Sequence, residues 1–160
     1  MRGHEYIREA IRTHLEQSVP ARLTAHLTAN GLTSPSVADL RFLLADGLQD
    51  INDFPAIIVR STDSEDDTRT ADGTWRIVYD IEVIVACDHR VHGDAEAASK
   101  ARDRVLLAVR ECIYSAAGLT EDIDISPRKR PEATGAAAET RAGVPLAAGT
   151  LKFRASVLET

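Results

Sequence analysis

The chain has 160 residues, of which 44% are hydrophobic and 28% charged, and its formal net charge is −6. A folded chain of this size buries about 70% of the surface that it exposes when unfolded, so a single domain needs no metal or disulfide to form its core. The negative charge argues against binding to the nucleic-acid backbone as the main task, because such binding depends on a concentrated positive surface. No apolar run approaches the roughly 18 residues that a membrane span needs.

The N-terminus and the cysteines indicate the cellular compartment and the state of the thiols. The first six residues, Met1 to Tyr6, are charged and have no apolar segment behind them, so we expect no secretory signal and a protein made and used in the cytoplasm. Cys87 and Cys112 fall on apolar positions of a predicted strand and a predicted helix. We therefore expect both to be small buried side chains.

Apolar residues that recur every four positions from Ile7 to Leu27 predict an N-terminal helix. Pro20 interrupts this row, so the sequence allows either one kinked helix or a second helix that starts just before it. Asn30 and Gly31 mark the end of the helical stretch, because glycine is the usual residue just past a helix C-terminus.

A long β-hairpin is predicted in the middle of the chain. Residues 32–53 are irregular, with a short strand or a turn of helix within them, and the β-branched run 56–60 predicts the first strand. The acidic segment 61–73 predicts the hairpin loop, and the alternation of apolar residues over 74–86 predicts the second strand. With 13 residues this strand is about 43 Å long, so we expect it to project from the domain and to meet another subunit.

The C-terminal half predicts a helix followed by two strands. Asp94 predicts the N-cap of a helix whose apolar stripe ends at Ala116. Residues 123–125 predict a short strand, residues 127–148 a connection without secondary structure, and residues 149–158 the last strand. The element order predicts one α+β domain over residues 1–160, with a mixed, mostly antiparallel sheet, a long β-hairpin and two main helices packed on one face.

The segment from Cys87 to Asp94 is the best candidate for a metal site. It offers a thiol, the imidazoles of His89 and His92, and the carboxylates of Asp88 and Asp94, all of which are zinc ligands in proteins. Their spacing matches no closed zinc signature, and Cys87 would have to leave the core to bind an ion. We interpret the segment as a turn followed by a helix cap. His89, His92 and Asp94 are the residues on which a metal-dependent enzyme would rely.

The acidic segment 61–73 does not match a calcium loop. An EF-hand loop that began at Asp63 would need Gly and Glu where this chain has Thr68 and Thr74. The chain also lacks a Gly-x-Ser-x-Gly motif, a Gly-x-Gly-x-x-Gly motif and a Walker lysine. We therefore expect no catalytic residue, no cofactor and no metal.

Two further groups of polar residues are candidates for contacts. His4, His14 and His26 lie on or beside the first helix, and we interpret them as surface or partly packed side chains. The basic run 128–130, Arg-Lys-Arg, we interpret as a solvated loop, with a contact to DNA or to an acidic protein surface as the alternative.

Four segments carry a family resemblance. They are Asp-Phe-Pro-Ala-Ile-Ile-Val from Asp53, Trp-Arg-Ile-Val-Tyr-Asp-Ile-Glu-Val-Ile-Val from Trp75, the alanine-rich helix 94–116, and Leu-Lys-Phe-Arg-Ala-Ser-Val from Leu151. In this order they resemble the tail-terminator (tail-completion) proteins of long-tailed bacteriophages and related tail-like particles. The resemblance covers most of residues 54–158 and is one of element order. Neck and head-closure proteins of the same particles look alike at this level.

The resemblance implies a structural virion protein. It implies a homo-oligomeric ring, typically hexameric, that caps the tail tube, ends its polymerisation and joins the head or neck. The partners would be the tail tube protein and a neck or head-completion protein, with no membrane contact and with DNA passing through the lumen without specific binding. Such a ring assembles in the host cytoplasm and lies at the head-proximal end of the virion tail. The alternatives are a neck or head-closure protein, a small cytoplasmic ligand-binding module with an apolar pocket between sheet and helices, and a metal-dependent enzyme.

Overall fold

The structure, a computed structural model, describes residues 3–115, 118–120, 122–125, 132–140 and 142–159. Within these ranges the helices are α1 (His4–Ala29), α2 (His89–His92) and α3 (Ala95–Tyr114), and a 3₁₀ turn spans Val37–Asp39. The strands are β1 (Arg41–Leu44), β2 (Ala56–Arg69), β3 (Trp75–Asp88), β4 (Gly118–Thr120), β5 (Ile123–Ile125), β6 (Glu132–Glu139) and β7 (Pro145–Glu159). None of the helices in these ranges is long and apolar enough to cross a membrane.

The strands form one mixed, mostly antiparallel sheet. Its order is β1-β2-β3-β7-β5-β4, and β6 also pairs with β7. β1 runs parallel to β2, whereas the other pairs are antiparallel. β7 follows β3 over its whole length, from the pair Trp75–Glu159 to the pair Asp88–Leu146. The predicted α+β fold with a long β-hairpin is therefore confirmed, and a third long strand supports the hairpin.

α1 and α3 pack on the same face of this sheet, as predicted. α1 turns its row of apolar residues inward, and α3 contributes a stripe of mostly small and β-branched residues. The shared core includes Ile7, Ile11, Leu15, Val19, Leu23, Val59, Tyr79, Val83, Val105, Val109, Leu151 and Phe153. Burying this much apolar surface is the main source of stability for such a two-layer arrangement.

Pro20 lies inside α1, which continues through it as one helix. A proline in a helix interior costs about 3 kcal/mol, because it removes one hydrogen bond and crowds the preceding turn. Val19 and Leu23 on either side of it are fully buried in the core. Packing against the sheet therefore holds the two halves of α1 together, and the alternative of two separate helices is wrong.

The opposite face of the sheet is covered over only part of its length. Ala56, Ile58 and Ile84 are buried there beneath the connector between β1 and β2, chiefly by Leu48 and Phe54. Farther along the strands this face becomes polar. A second face that is covered in part agrees with its mixed sequence.

The acidic segment 61–73 is not a loop, so that prediction was wrong. β2 continues through it to Arg69, and the chain reverses only over Thr70 to Thr74. The register with β3 shifts between Ser61 and Glu65 and is regular beyond that point. Because β3 is itself held by β7, pairing with β3 overrides the low strand propensity of acidic residues.

The connection 127–148 is also more ordered than predicted. Residues 132–139 form β6 and residues 145–148 belong to β7, and the two strands pair as a hairpin. Alanine and glycine are poor strand formers, which is why the sequence pattern gave no signal here. Arg128, Lys129 and Arg130 lie outside the described residues.

Candidate functional site

The Cys87–Asp94 segment begins with a thiol that is committed to the core. Cys87 is fully buried and packs with Ala98, Ala101 and Ala147. Burial raises the pKa of the Cys87 thiol to about 12. A protonated thiol beneath α3 is a poor metal ligand and a poor nucleophile, because both roles need the thiolate.

The two carboxylates of the segment serve as helix caps. Asp88 accepts a hydrogen bond from the backbone N–H of Arg90 at 2.8 Å and forms an ion pair with the Arg90 side chain. The hydrogen bond from the Arg90 side chain is the main cause that lowers the pKa of Asp88. Asp94 accepts from the backbone N–H of Ala97 at 2.7 Å, which confirms it as the N-cap of α3.

His92 packs against the chain that follows α1. Its Nδ1 lies 3.3 Å from Ser34 Oγ, and its buried Nε2 makes no hydrogen bond within the described residues. Burial lowers the pKa of His92, while the charge of Asp88 acts in the opposite direction. Across the described ranges, no three side chains of His, Cys, Asp and Glu are close enough to hold a metal ion together. The structure thus gives the metal interpretation no support there.

Three histidines of α1 connect this helix to its neighbours. His14 Nε2 lies 3.2 Å from the carbonyl oxygen of Cys112, and His26 Nε2 lies 2.8 Å from Glu111 Oε2. His4 Nδ1 lies 2.6 Å from Ser61 Oγ. The interpretation as partly packed side chains is confirmed for all three, and each of them joins α1 to α3 or to the sheet.

The His4–Ser61 pair has the separation of a base and a nucleophilic hydroxyl, and no sequence motif indicates it. The imidazole also packs edge-on against Tyr79, with ring centroids 4.7 Å apart. Ser61 lies on β2 where the strand register shifts. We interpret the pair as part of the packing between the start of α1 and the sheet.

Among the described residues, the helical layer carries two open clefts. One, of about 350 Å³, is lined by α1 residues and Leu119 of β4. The other, of about 590 Å³, lies between α1 and α3 and exposes Leu107 and Tyr114 beside Arg22 and Arg110. Neither has the enclosed shape of a small-molecule pocket between sheet and helices, which the ligand-binding alternative requires.

The tip of the β2–β3 hairpin is a tightly bonded turn. The N–H of Thr70 donates to the carbonyl of Thr74 at 2.7 Å, and the hydroxyls of both threonines donate to Asp72. The hydrogen bonds that Asp72 accepts from the two hydroxyls, chiefly the one from Thr70, lower the pKa of Asp72 to about 2. Gly73 adopts a φ of 90°, which favours glycine. Trp75, the first residue of β3, is 45% exposed beside this turn.

Besides the outer sides of the short end strands β1 and β4, two longer sheet edges are open within the described residues, and these two are the strongest candidates for a functional surface. β1 pairs with β2 only from Ala56 to Val59, so the outer side of residues 60–69 has no strand beside it. On the other side of the sheet, β6 pairs with β7 alone. Open edges present unpaired N–H and C=O groups and readily accept a strand from another chain.

No protein-family model matches the sequence, and no curated protein is significantly similar to it.

Proposed function

We propose that this chain is a structural subunit that forms a closed ring on the end of a phage tail tube, where it ends tube growth and provides the surface that joins the head or neck. The observation that carries the proposal is the pair of open edges, β2 beyond Val59 and the outer side of β6. They are unlike surfaces that lie at opposite lateral edges of one sheet. Contacts between unlike surfaces are the kind that generate rings when the rotation closes.

The chemistry of the described residues supports a structural role. Asp88 and Asp94 cap helices, Cys87 is a buried neutral thiol, and the α1 histidines join layers of the fold. Groups that would serve catalysis elsewhere are here used to hold the fold together. The element order that resembles tail terminators is the second support.

The polar face of the sheet supports the same proposal. Beyond the connector, charged side chains pair across β2, β3 and β7, with Arg60 and Lys152 both contacting Glu82. If each copy continues the sheet of the previous one, all helices lie on one wall of the ring and all of these ion pairs on the other. A wall on which the cations Arg60, Lys152 and Arg154 are paired with carboxylates suits a lumen through which DNA passes without binding.

The test is to incubate the purified chain with tail tubes of the same phage and to image the tubes after gold labelling of the chain. The proposal predicts label at one end of each tube and no further growth when tube protein is added. Label that appears only on particles already joined to heads would indicate a neck protein instead. Tubes that grow unchanged and carry no label would contradict both roles.

A further inference from the structure

We infer that copies of this chain join by direct strand pairing, with the open outer edge of β2 in one copy bonded antiparallel to the open outer edge of β6 in the next. The first surface, residues 60–69, is called the β2 edge, and the second, Glu132–Glu139, the β6 edge. The inference deepens the proposed function, on which it rests for the identity of the partner, a second copy.

The two edges match in length. The β2 edge offers ten residues beyond the last residue paired with β1, with the register shift between Ser61 and Glu65 among them, and the β6 edge offers eight. Both segments lack proline, which is the residue that most directly blocks strand pairing. Natural sheets usually shorten, cover or charge such edges; the β2 edge carries acidic residues, whereas the uncharged run from Ala133 to Ala138 on the β6 edge calls for a partner.

The strand directions suit an in-plane continuation. β2 is antiparallel to β3, β3 to β7, and β7 to β6, so β2 and β6 run in opposite directions within one sheet. A second copy placed beside the first with its sheet in the same plane would therefore present β6 antiparallel to β2. Antiparallel pairing is slightly more stable per residue than parallel pairing.

The charges disfavour the pairing of two β2 edges. The β2 edge contains Asp63, Glu65, Asp66 and Asp67, so two copies joined β2 to β2 would bring eight carboxylates onto strands about 4.8 Å apart. The β6 edge is uncharged from Ala133 to Ala138. Repulsion thus disfavours a closed two-fold dimer through two β2 edges, whereas the head-to-tail contact that a ring requires sets the acidic strand against the uncharged run of β6.

The two edges are also staggered along the strands. Glu65 on the β2 edge lies at the level of Tyr79 on β3, whereas Gly135 on the β6 edge lies at the level of Val85, through Gly149. Six residues separate these levels, which is about 20 Å along the strands. Each copy would therefore be displaced along the strands relative to its neighbour, and a ring closed in this way has tilted strands, as closed barrels do.

Proline substitution tests each edge separately. On an edge strand, alternate residues bond inward and outward, so of two adjacent proline variants one breaks the fold's own ladder and the other blocks only the open edge. We would make Asp66→Pro and Asp67→Pro on β2, and Ala136→Pro and Ala137→Pro on β6. In each pair, the variant that keeps the thermal unfolding temperature of the parent is taken as the edge-blocked one.

Native mass spectrometry of the edge-blocked variants then gives the readout. We expect each variant alone to associate at least tenfold more weakly than the parent chain. An equimolar mixture of the two should form a dimer that does not grow, because it restores a single interface.

The outcomes separate this inference from the proposed function. Rings of the parent chain that persist in both edge-blocked variants overturn strand pairing and leave the ring intact. Edge-dependent dimers or filaments that never close or cap a tube overturn the ring and leave strand pairing intact. A parent chain that stays monomeric at all concentrations, with and without tubes, overturns both.

Discussion

Arg60 and Glu82 lie directly opposite each other on β2 and β3, and Arg60 Nε donates to Glu82 Oε2 at 2.5 Å. Lys152, opposite Glu82 on β7, lies 3.5 Å from the second carboxylate oxygen. The Glu82 side chain is only 9% exposed, so a carboxylate joins three strands on a largely buried part of the sheet. The row formed by Arg60, Glu82 and Lys152 lies on the sheet face opposite the helices, at the boundary between its covered part and its polar part.

Replacement of Glu82 by Gln should destabilise the fold by about 2 kcal/mol, because it removes the charge of a largely buried carboxylate that contacts both Arg60 and Lys152. The measurement is chemical unfolding followed by circular dichroism. Asp80→Asn is the matched control: Asp80 pairs with Arg154 on the same strands, but both side chains are at least one third exposed. Asp80→Asn should lower the free energy of unfolding by less than about 1 kcal/mol. Equal losses in the two variants would contradict this account of the row.

Cys87 should make the fold sensitive to alkaline pH. Its pKa is about 12 in the folded chain, above the usual value for a thiol, so the unfolded state loses its proton first as the pH rises. The neutral thiol makes its full contribution to the free energy of unfolding below about pH 8.5. Above that pH the contribution falls by about 1.4 kcal/mol per pH unit, until the folded-state pKa is reached.

Unfolding free energies measured between pH 8 and 10.5 test this, with Cys87→Ala expected to reduce the slope. Alanine suits the site, since three of its neighbours are alanines. The same thiol should not react with a disulfide reagent at pH 8 until the chain is unfolded. Fast labelling of Cys87 in the folded chain would show that it is accessible after all.

Gly135 should be required only because Arg102 lies over it. A Cβ at Gly135 would meet the Arg102 guanidinium at 3.1 Å, and that guanidinium donates to the carbonyl of Ala148 at 3.2 Å. Gly135→Ala should therefore cost about 1 kcal/mol, the loss of a charged hydrogen bond less the gain from removing a strand glycine.

In a chain that also carries Arg102→Ala, Gly135→Ala should have the opposite effect on stability. With the guanidinium gone, Gly135→Ala should stabilise the strand by a few tenths of a kcal/mol, which a double-mutant cycle of unfolding free energies measures. Gly47→Ala is the control, since a Cβ there meets nothing within 4 Å. If Gly135→Ala costs the same in both backgrounds, contact with Arg102 is not the reason for the glycine.

The sequence predicted those elements whose residues carry a strong period. The four-residue repeat of α1 and the two-residue alternation of β3 were both found where expected, and Asp94 caps α3 as its position suggested. β6 was missed because an alanine-rich run carries no alternation. The outer half of β2 was missed because its acidic residues read as a loop. Each missed strand pairs with the next strand of a hairpin, and that strand is held in turn by the long pairing of β3 with β7, which local sequence does not encode.

The candidate site follows the same division. The caps and the buried thiol of the Cys87–Asp94 segment could be predicted from sequence, because capping residues and buried cysteines have local signatures. The open edges depend on where the pairing of β1 with β2 ends and on which strands pair with β7, so no local sequence motif indicates them. They became visible only in the order of the strands.

The most direct test of the central claim is native mass spectrometry of the purified chain over a range of concentrations, with negative-stain images of the same samples. We predict a closed ring of about six copies, with a central lumen, that strengthens as concentration rises or when tail tubes are added. A chain that remains a monomer or stops at a dimer under all of these conditions would contradict the claim that it caps a tube as a ring.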